Sequence, residues 1–504
     1  MSFTAESIVF VLYFVLLFFV SLFFYFNGSN KDQKDYFIGG RSMGPWVTAM
    51  SAQASDMSAW LLMGLPGSIL AFGFGQMWIG IGLALGTAAN WIFCASRLRK
   101  FSKVAGDAIT LPQYLTNRFN SKRNTLQVIC AIIFLIAFTV YVASAFVAGT
   151  TVFTTLFPGM NERAAMTVFA LIIIGYTFLG GFKAVCWTDF FQGILMLIAL
   201  LAIPIIVVST QNLDTSLLQQ VFTYTDAAGN VTTYSFGTGL FDASWQDIVS
   251  GLGWGLGYFG MPHIIIRFMS IEKPKMIKTS AVVAIVWVIL SLGASCYMAY
   301  LARMIVAEEL LTMGAQKTVF IVMARRFFPP AAAGFLLAAI MAASVSTADS
   351  QLLVASSSFT SDLYQPLIRK NAKDKEVLYV GRIAVVVISV IAYLIATSKG
   401  SGAQAIMNLV ENAWGIFGAA FGPVVLLSLF WRRFNYTGAV AGVIAGAVVD
   451  LVWLYGLSST GVYELVPGFI AGAVAAVIAT LVTKAPEKDV TDIFDTATAA
   501  DYNE

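Results

Sequence analysis

Residues 51–67 read Ser-Ala-Gln-Ala-Ser-Asp-Met-Ser-Ala-Trp-Leu-Leu-Met-Gly-Leu-Pro-Gly, and this stretch decides the fold. It lies in a long apolar segment suited to crossing a membrane, yet it carries Asp56 and the helix-disfavouring Gly64, Pro66 and Gly67. A carboxylate inside a bilayer is unfavourable and usually faces a cavity that conducts an ion or a substrate. Backbone that leaves the helical path at membrane depth needs protein or water to satisfy its polar groups. We therefore predict a helix that unwinds near the bilayer midplane and offers carbonyls, hydroxyls and a carboxylate to a small ligand.

The composition is that of an all-α, polytopic membrane protein. Of 504 residues, 58% are hydrophobic and 11% are charged, and the mean hydropathy is +0.80; soluble proteins carry about a quarter charged residues. The apolar run Ile8–Phe26 is long enough to cross a bilayer and lacks a basic leader, which favours a retained helix over a cleaved signal peptide. The sequence predicts about thirteen transmembrane helices, at 8–26, 43–74, 76–96, 125–156, 163–180, 187–209, 243–266, 279–303, 318–358, 379–397, 403–431, 437–456 and 464–483.

The placement of positive charge predicts the orientation. With the N-terminus outside, 24 of the 30 lysines and arginines fall on the inner side and 6 on the outer side. Such a bias is typical of membrane proteins with a cytoplasmic C-terminus. We expect a multi-pass protein of the cell membrane, embedded in the lipid bilayer.

A second unusual stretch follows about 200 residues after the first. It runs from Gly251 to His263, with Gly251, Gly253, Gly255, Gly257 and Gly260 preceding Pro262. Close packing through small residues is one explanation; a dinucleotide site is excluded because no βαβ unit surrounds the glycines. Two interrupted spans at corresponding places in two halves are typical of inverted-repeat transporters with a midplane site.

This pattern predicts six segments. They are an N-terminal helix and first cytoplasmic loop (1–42), a first inverted repeat of helices 2–6 (43–209), an extracellular loop (210–242), a second inverted repeat of helices 7–11 (243–431), two additional helices (432–484) and a disordered cytoplasmic tail (485–504). The transporter core is thus a five-plus-five repeat in which each half opens with a broken helix.

The predicted ninth helix carries a polar face. Ala343, Ser346, Thr347 and Ser350 recur at helical spacing, and Asp349 lies beside them. Hydroxyls and carbonyls are hard oxygen ligands suited to an alkali cation. Packing between helices by small polar residues is the alternative, and the intramembrane carboxylate favours a functional site.

At these residues the sequence resembles the sodium:solute symporter family, and within it the sodium/proline branch. The resemblance covers nearly the whole chain, from about residue 35 to about 485, and residues 54–67 are its most specific part. The matching segments are Gly39-Gly-Arg-Ser, Ala54-Ser-Asp-Met-Ser, Trp60-Leu-Leu-Met-Gly-Leu-Pro-Gly, Gly180-Gly, Trp187-Thr-Asp, Trp254-Gly-Leu-Gly-Tyr-Phe-Gly, Ser346-Thr and Phe421-Gly-Pro-Val-Val-Leu.

The resemblance implies a role for each matching residue. It implies Na⁺ binding by the carbonyls of Ala54, Met57 and Ala343 and by the hydroxyls of Ser346 and Thr347. L-proline would lie beside Ser58, Ala59 and Trp60, enclosed by Tyr141, Trp254 and Tyr258. The carboxylates Asp56 and Asp189 resemble the family's carboxylates at the broken helix and near an inner ion path, and Arg41 matches its basic residue at the cytoplasmic mouth.

Two positions depart from the branch. Ala59 stands where the branch often has glycine, and Asp349 stands where it typically has serine. Some relatives place a second sodium near hydroxyls here and the carboxylate that corresponds to Asp189. Asp349, with Ser350, is therefore a candidate for strengthening such a site or for binding a proton.

The function expected from the sequence is sodium-coupled import of L-proline by alternating access. The alternatives are a carrier of the same fold for another solute, such as a sugar, a sialic acid or a carboxylate, and a non-transporting membrane sensor. We expect no enzymatic activity, because no metal-ligand cluster or nucleophile–base pair is evident, and no nucleic-acid partner. The sequence identifies no protein partner.

Overall fold

The computed structural model describes residues 4–26, 32–226, 229–399 and 403–499, and they are mostly helical. Within these ranges, ten helices are long and apolar enough to cross a membrane. The first part of the chain forms α1 (Ala5–Phe26), α2 (Gln33–Ile38), α3 (Pro45–Asp56), α4 (Trp60–Phe72), α5 (Met77–Ala89), α6 (Ser96–Val104), α7 (Leu111–Arg118), α8 (Thr125–Leu156) and α9 (Glu162–Thr210).

The second part begins with a β-hairpin. Strands β1 (Phe222–Thr225) and β2 (Val231–Tyr234) pair antiparallel, with Phe222 opposite Tyr234. The helices that follow are α10 (Trp245–Gly253), α11 (Pro262–Ser270), α12 (Ile277–Ile305), α13 (Ala307–Leu311), α14 (Val319–Phe327), α15 (Pro330–Ser357), α16 (Asp374–Lys399), α17 (Ala403–Phe430), α18 (Tyr436–Gly456), α19 (Leu465–Val482) and α20 (Lys488–Thr498).

The first predicted interruption is present between α3 and α4. Ser58 adopts a positive φ of 30°, which L-residues rarely adopt. The Ser58 hydroxyl oxygen accepts a hydrogen bond from the backbone N–H of Trp60 at 3.1 Å, which satisfies the first N–H group of α4. The break is short, and it interrupts the regular helical hydrogen-bond pattern at the last carbonyls of α3.

The second interruption is a 3₁₀ segment over Trp254–Phe259, between α10 and α11. Its glycines also allow close packing: a Cβ added at Gly255 would lie 3.1 Å from the carbonyl carbon of Gly82 and 3.3 Å from the Cα of Gly86. The glycine-rich stretch therefore both breaks the helix and brings its backbone against α5.

The helices predicted at 163–180 and 187–209 are joined in one helix, α9. Gly181 bends this helix with φ 67° and ψ 179°, a conformation that glycine adopts without steric penalty. Gly181 therefore makes the change of direction that a loop between two helices would otherwise make.

Two predictions are corrected. The span expected at 318–358 is two helices, because α14 ends at Phe327 and α15 begins at Pro330; Phe328 is extended, as residues before proline prefer. The tail predicted to be disordered contains α20, whose Phe494 ring packs against Phe101 at a centroid distance of 5.4 Å. Residues 500–504 lie outside the described residues.

The central helix of the bundle is α15. It is buried along most of its length and packs against α1, α3, α8 and α9. In contrast, α1 exposes many apolar side chains, as a helix at the lipid boundary does. The polar face of α15 therefore lies against the interrupted helix α3 in the protein interior.

Candidate functional site

A small cavity lies at the first interruption. Its volume is about 20 Å³, which is room for about one water molecule. Both interrupted stretches contribute to its wall, together with α5, α8 and α17. The lining residues are Asp56, Met57, Ser58, Trp60, Leu83, Tyr141, Trp254, Tyr258, Val410 and Trp414.

Stacked aromatic rings form one side of the cavity. The Trp60 and Trp254 rings lie 5.6 Å apart at 22°, and the Trp254 ring also stacks on Trp414, at 6.2 Å. The Trp414 indole N–H donates to the carbonyl of Trp254 at 2.9 Å. This bond ties the backbone of the 3₁₀ segment to α17 and positions an aromatic wall for an apolar ligand surface.

The two interrupted stretches are linked by a hydrogen bond. The Tyr258 hydroxyl donates to a carboxyl oxygen of Asp56 at 2.5 Å, and both side chains are buried. A carboxyl group buried at membrane depth requires such a partner. Any movement of one stretch relative to the other must change this contact.

A set of oxygen atoms joins α3 to α15. The Ser346 hydroxyl donates to the carbonyl of Ala54 at 2.8 Å and lies 3.2 Å from the carbonyl of Ala343. The buried Thr347 hydroxyl has no hydrogen-bond partner among the described residues. An unpartnered buried hydroxyl beside carbonyls fits a cation that accepts hard oxygen ligands. The Met57 carbonyl, the remaining predicted ligand, accepts a hydrogen bond from Leu61 N–H at 3.3 Å.

A buried ionic cluster lies between α9, α11 and α15. Arg267 donates to Asp189 at 3.1 Å and to the Ser350 hydroxyl at 2.5 Å. The Ser51 hydroxyl donates to the same Asp189 oxygen at 2.6 Å. Asp189 and Ser350 are therefore brought together, as predicted, but through an arginine that the sequence reasoning missed.

Asp349 is fully buried close to this cluster. Neither of its carboxyl oxygens has a hydrogen bond of good geometry in the described part of the chain, although the Tyr176 side chain lies near them, and Asp189 and Arg267 are the charged groups that act on it. One oxygen of Asp189 is likewise without a partner there. The cluster thus combines two carboxyl groups with one guanidinium.

Arg41 forms a hydrogen-bond network just before the start of α3. Its guanidinium donates to Asp107 at 2.8 Å, to the carbonyl of Met269 at 2.5 Å and to that of Ala108 at 2.8 Å. Burial would raise the pKa of Asp107, but the hydrogen bond from Lys34 and the charge of Arg41 outweigh burial and lower it. Asp107 is therefore a carboxylate at neutral pH and ties the start of α3 to the α6–α7 loop.

One residue that was predicted for the pocket lies outside the cavity lining, and three lining residues were not predicted. Ala59 is buried at the start of α4 and is not part of the cavity lining. Leu83, Val410 and Trp414 line the cavity without having been predicted. Trp414 carried a weak signal, since a tryptophan stands there among the small residues Ala413 and Gly415 within an apolar span.

Residues 36–446 match the model of the sodium:solute symporter family. The chain is 41% identical over 482 residues to the high-affinity proline transporter PutP of Bacillus subtilis, covering 94% of this chain and 98% of that protein. It is also 41% identical over 500 residues to sodium/proline symporter 2 of Staphylococcus saprophyticus, covering 97% and 95%.

Solved structures share the fold at lower identity. A substrate-bound, outward-open sodium-coupled sialic acid symporter superposes with a TM-score of 0.73 at 20% identity, covering 96% of this chain and 99% of that chain. A nucleobase-cation-symport-1 family transporter in a closed conformation superposes with a TM-score of 0.56 at 14% identity, covering 91% and 98%.

Proposed function

The chain belongs to the sodium:solute symporter family, and from this premise we propose that it is a sodium-coupled symporter that imports L-proline. The observation that carries the proposal is the buried contact between Asp56 and Tyr258. It links a broken helix next to a set of cation-type oxygen ligands to the aromatic wall of a small cavity. Sodium and solute would thus act on the same two interrupted stretches, as a symporter requires. The protein is a multi-pass membrane protein and not an enzyme.

We infer a topology of thirteen membrane helices. The two interrupted stretches and the bend in α9 add three passages to the ten long apolar helices. Five passages from α3 to α9 and five from α10 to α17 would form the inverted repeats, with the first cytoplasmic loop before them and α18 and α19 added after them. The charge bias supports an outer N-terminus and an inner C-terminus in the cell membrane.

We assign sodium to the oxygen atoms between α3 and α15. The carbonyls of Ala54, Met57 and Ala343 and the hydroxyls of Ser346 and Thr347 would bind it. The Ser346–Ala54 hydrogen bond holds the two helices together in this structure, and an ion at this position would replace it by binding both oxygens. Sodium binding would thereby stabilise the arrangement of α3 in which the solute site is formed.

We assign L-proline to the cavity lined by Ser58, Trp60, Tyr141, Trp254 and Tyr258. The N–H groups of Trp60 and Leu61 at the start of α4 bond to the Ser58 hydroxyl and the Met57 carbonyl in this structure, and the proline carboxylate would take over these donors. The tryptophans suit the ring. The cavity of about 20 Å³ is smaller than proline, so the stacked Trp60 and Trp254 rings must separate when the solute enters. Ala59 would act through the backbone of the break.

Coupling follows from linkage between the two sites. Sodium that orders α3 raises the affinity for proline, and proline raises the affinity for sodium by the same factor. Closure of the outer side over both ligands would then allow the inner contacts of Arg41 with Asp107 and Met269 to open. Asp189, Asp349 and Ser350 lie where a second sodium or a proton would bind on the inner path.

The experiment is uptake of labelled L-proline into proteoliposomes under an inward sodium gradient, with potassium as the control and Asp56→Asn alongside. Accumulation that needs sodium and is lost in the variant is the expected result. Equal equilibration in both salts would overturn coupling. Flux of another solute without proline flux would retain the symporter and replace its substrate, and failure to move any solute would favour a sensor.

A further inference from the structure

A second group of acidic side chains lies behind the aromatic wall of the cavity. It consists of Glu411 on α17, Asp450 on α18 and Glu464 at the start of α19, and we call it the carboxyl cluster. Glu411 is half-buried, Glu464 is buried, and Asp450 is fully buried. The proposed sodium and proline sites use none of these residues.

Asp450 is the unusual member of the cluster. Both of its carboxyl oxygens are buried and have no hydrogen-bond partner among the described residues, and one oxygen of Glu464 is in the same situation. None of the ion pairs in the described part of the chain includes either residue. A pair of buried carboxylates without a cation is strongly unfavourable at this depth.

The backbone keeps the two side chains close together. A Cβ added at Gly415 would lie 3.0 Å from an oxygen of Asp450 and 3.4 Å from the unpartnered oxygen of Glu464. Both oxygens therefore point at one spot beside α17, which only a glycine leaves free. The charged side chain that acts on Asp450 is Glu464, and no group of three residues in the described chain has metal-binding geometry.

We propose that Asp450 and Glu464 form a proton-binding site that couples the pH to the wall of the substrate cavity. One proton converts two acceptor-only groups into a donor–acceptor pair and removes one of two repelling charges. The other titratable groups near the site are Glu411 from α17 and Tyr463, which precedes α19; Tyr141 from α8 acts on Tyr463. None of them supplies a positive charge.

Tyr463 connects the site to the cavity. It directly precedes Glu464, its ring stacks on Trp254 at 5.2 Å, and its hydroxyl donates to the carbonyl of Glu411 at 2.7 Å. Loss of the proton would push Glu464 away from Asp450 and move the start of α19. Tyr463 would then no longer support Trp254, and proline affinity would fall.

Infrared spectroscopy of the full-length protein in lipid nanodiscs tests the protonation directly, without any solute. We expect one component of the carboxylic-acid carbonyl band to titrate away at high pH in the wild type and to be missing in Asp450→Asn and Glu464→Gln. The matched control is Glu309→Gln, because Glu309 is an exposed glutamate paired with Arg326. A band that persists unchanged in both cluster variants would overturn the site.

The second readout is proline affinity in saturating sodium across the same pH range. We expect the wild-type affinity to fall by up to about tenfold per pH unit above the titration, whereas Asp450→Asn keeps the low-pH affinity throughout. A variant with the wild-type pH profile would overturn the coupling. Since the infrared band requires no transport, failure of this site is distinguishable from failure of the proposed function.

Discussion

Removing the Tyr258 hydroxyl should weaken the coupling of sodium to solute uptake. The change is Tyr258→Phe, which keeps the ring against Trp414, at 5.1 Å, and deletes only the donor to Asp56, at 2.5 Å. Both groups are buried, so bulk water does not reach the position of the lost donor, and the cavity beside them has room for only about one water molecule. The carboxyl group of Asp56 then loses the hydrogen bond that links it to the second interrupted stretch.

The magnitude follows from the type of contact. Leaving a buried hydrogen-bonding group unsatisfied costs about 1–3 kcal/mol. If this contact forms only in the sodium-bound arrangement, the loss appears as a roughly 5- to 150-fold higher sodium concentration for half-maximal proline uptake. If it forms in every state, the loss appears as reduced thermal stability with an unchanged sodium requirement.

The assay is proline uptake by proteoliposomes over a series of sodium concentrations, with thermal unfolding of the same preparations. Tyr455→Phe is the matched control, because Tyr455 is 81% exposed. A sodium requirement within about twofold of the wild type would refute the idea that this contact reports sodium binding. Asp56→Asn, which keeps an acceptor for Tyr258, should lose sodium-driven proline uptake while remaining folded.

Three further substitutions probe separate parts of the structure. Thr347→Val should raise the sodium concentration for half-maximal uptake about tenfold, because it removes an unpartnered buried hydroxyl of the proposed sodium site. The control Ser344→Ala should have little effect on uptake, because the Ser344 hydroxyl bonds within its own helix at 2.9 Å. Asp107→Asn should lower the unfolding temperature slightly, by the equivalent of at most about 1 kcal/mol, because the group is partly exposed. Because the pKa of Asp107 is lowered, its contribution to stability is present at neutral pH and is lost as the pH falls through that pKa. The difference in unfolding temperature between the variant and the wild type should therefore narrow below about pH 4. Gly86→Ala should destabilise the protein by about 1–3 kcal/mol in the same measurement, since the added Cβ would lie 2.7 Å from the carbonyl carbon of Gly255, whereas Gly293→Ala enters open space and should be neutral.

The sequence alone determined the class of protein and indicated where a candidate site lies. The mean hydropathy and the apolar runs identify a membrane protein, because a bilayer requires long stretches without charge. Asp56 among glycine, proline and serine could be recognised as functional for the same reason, since each of these residues is unfavourable in a lipid-exposed helix. The glycine-rich stretch that contains Trp254 and Tyr258 was identifiable from local composition.

The tertiary structure decided which side chains meet. Arg267 and Asp189 are 78 positions apart, and Trp414 and Trp254 are 160 apart, so no local periodicity indicates either pair. The end of the tail also folds as the docked helix α20, because the apolar side of α20 has a surface to pack against only when α6 is nearby. Composition indicates which residues are unfavourable in a membrane, whereas the partners of a buried polar group depend on the folded arrangement of the whole chain.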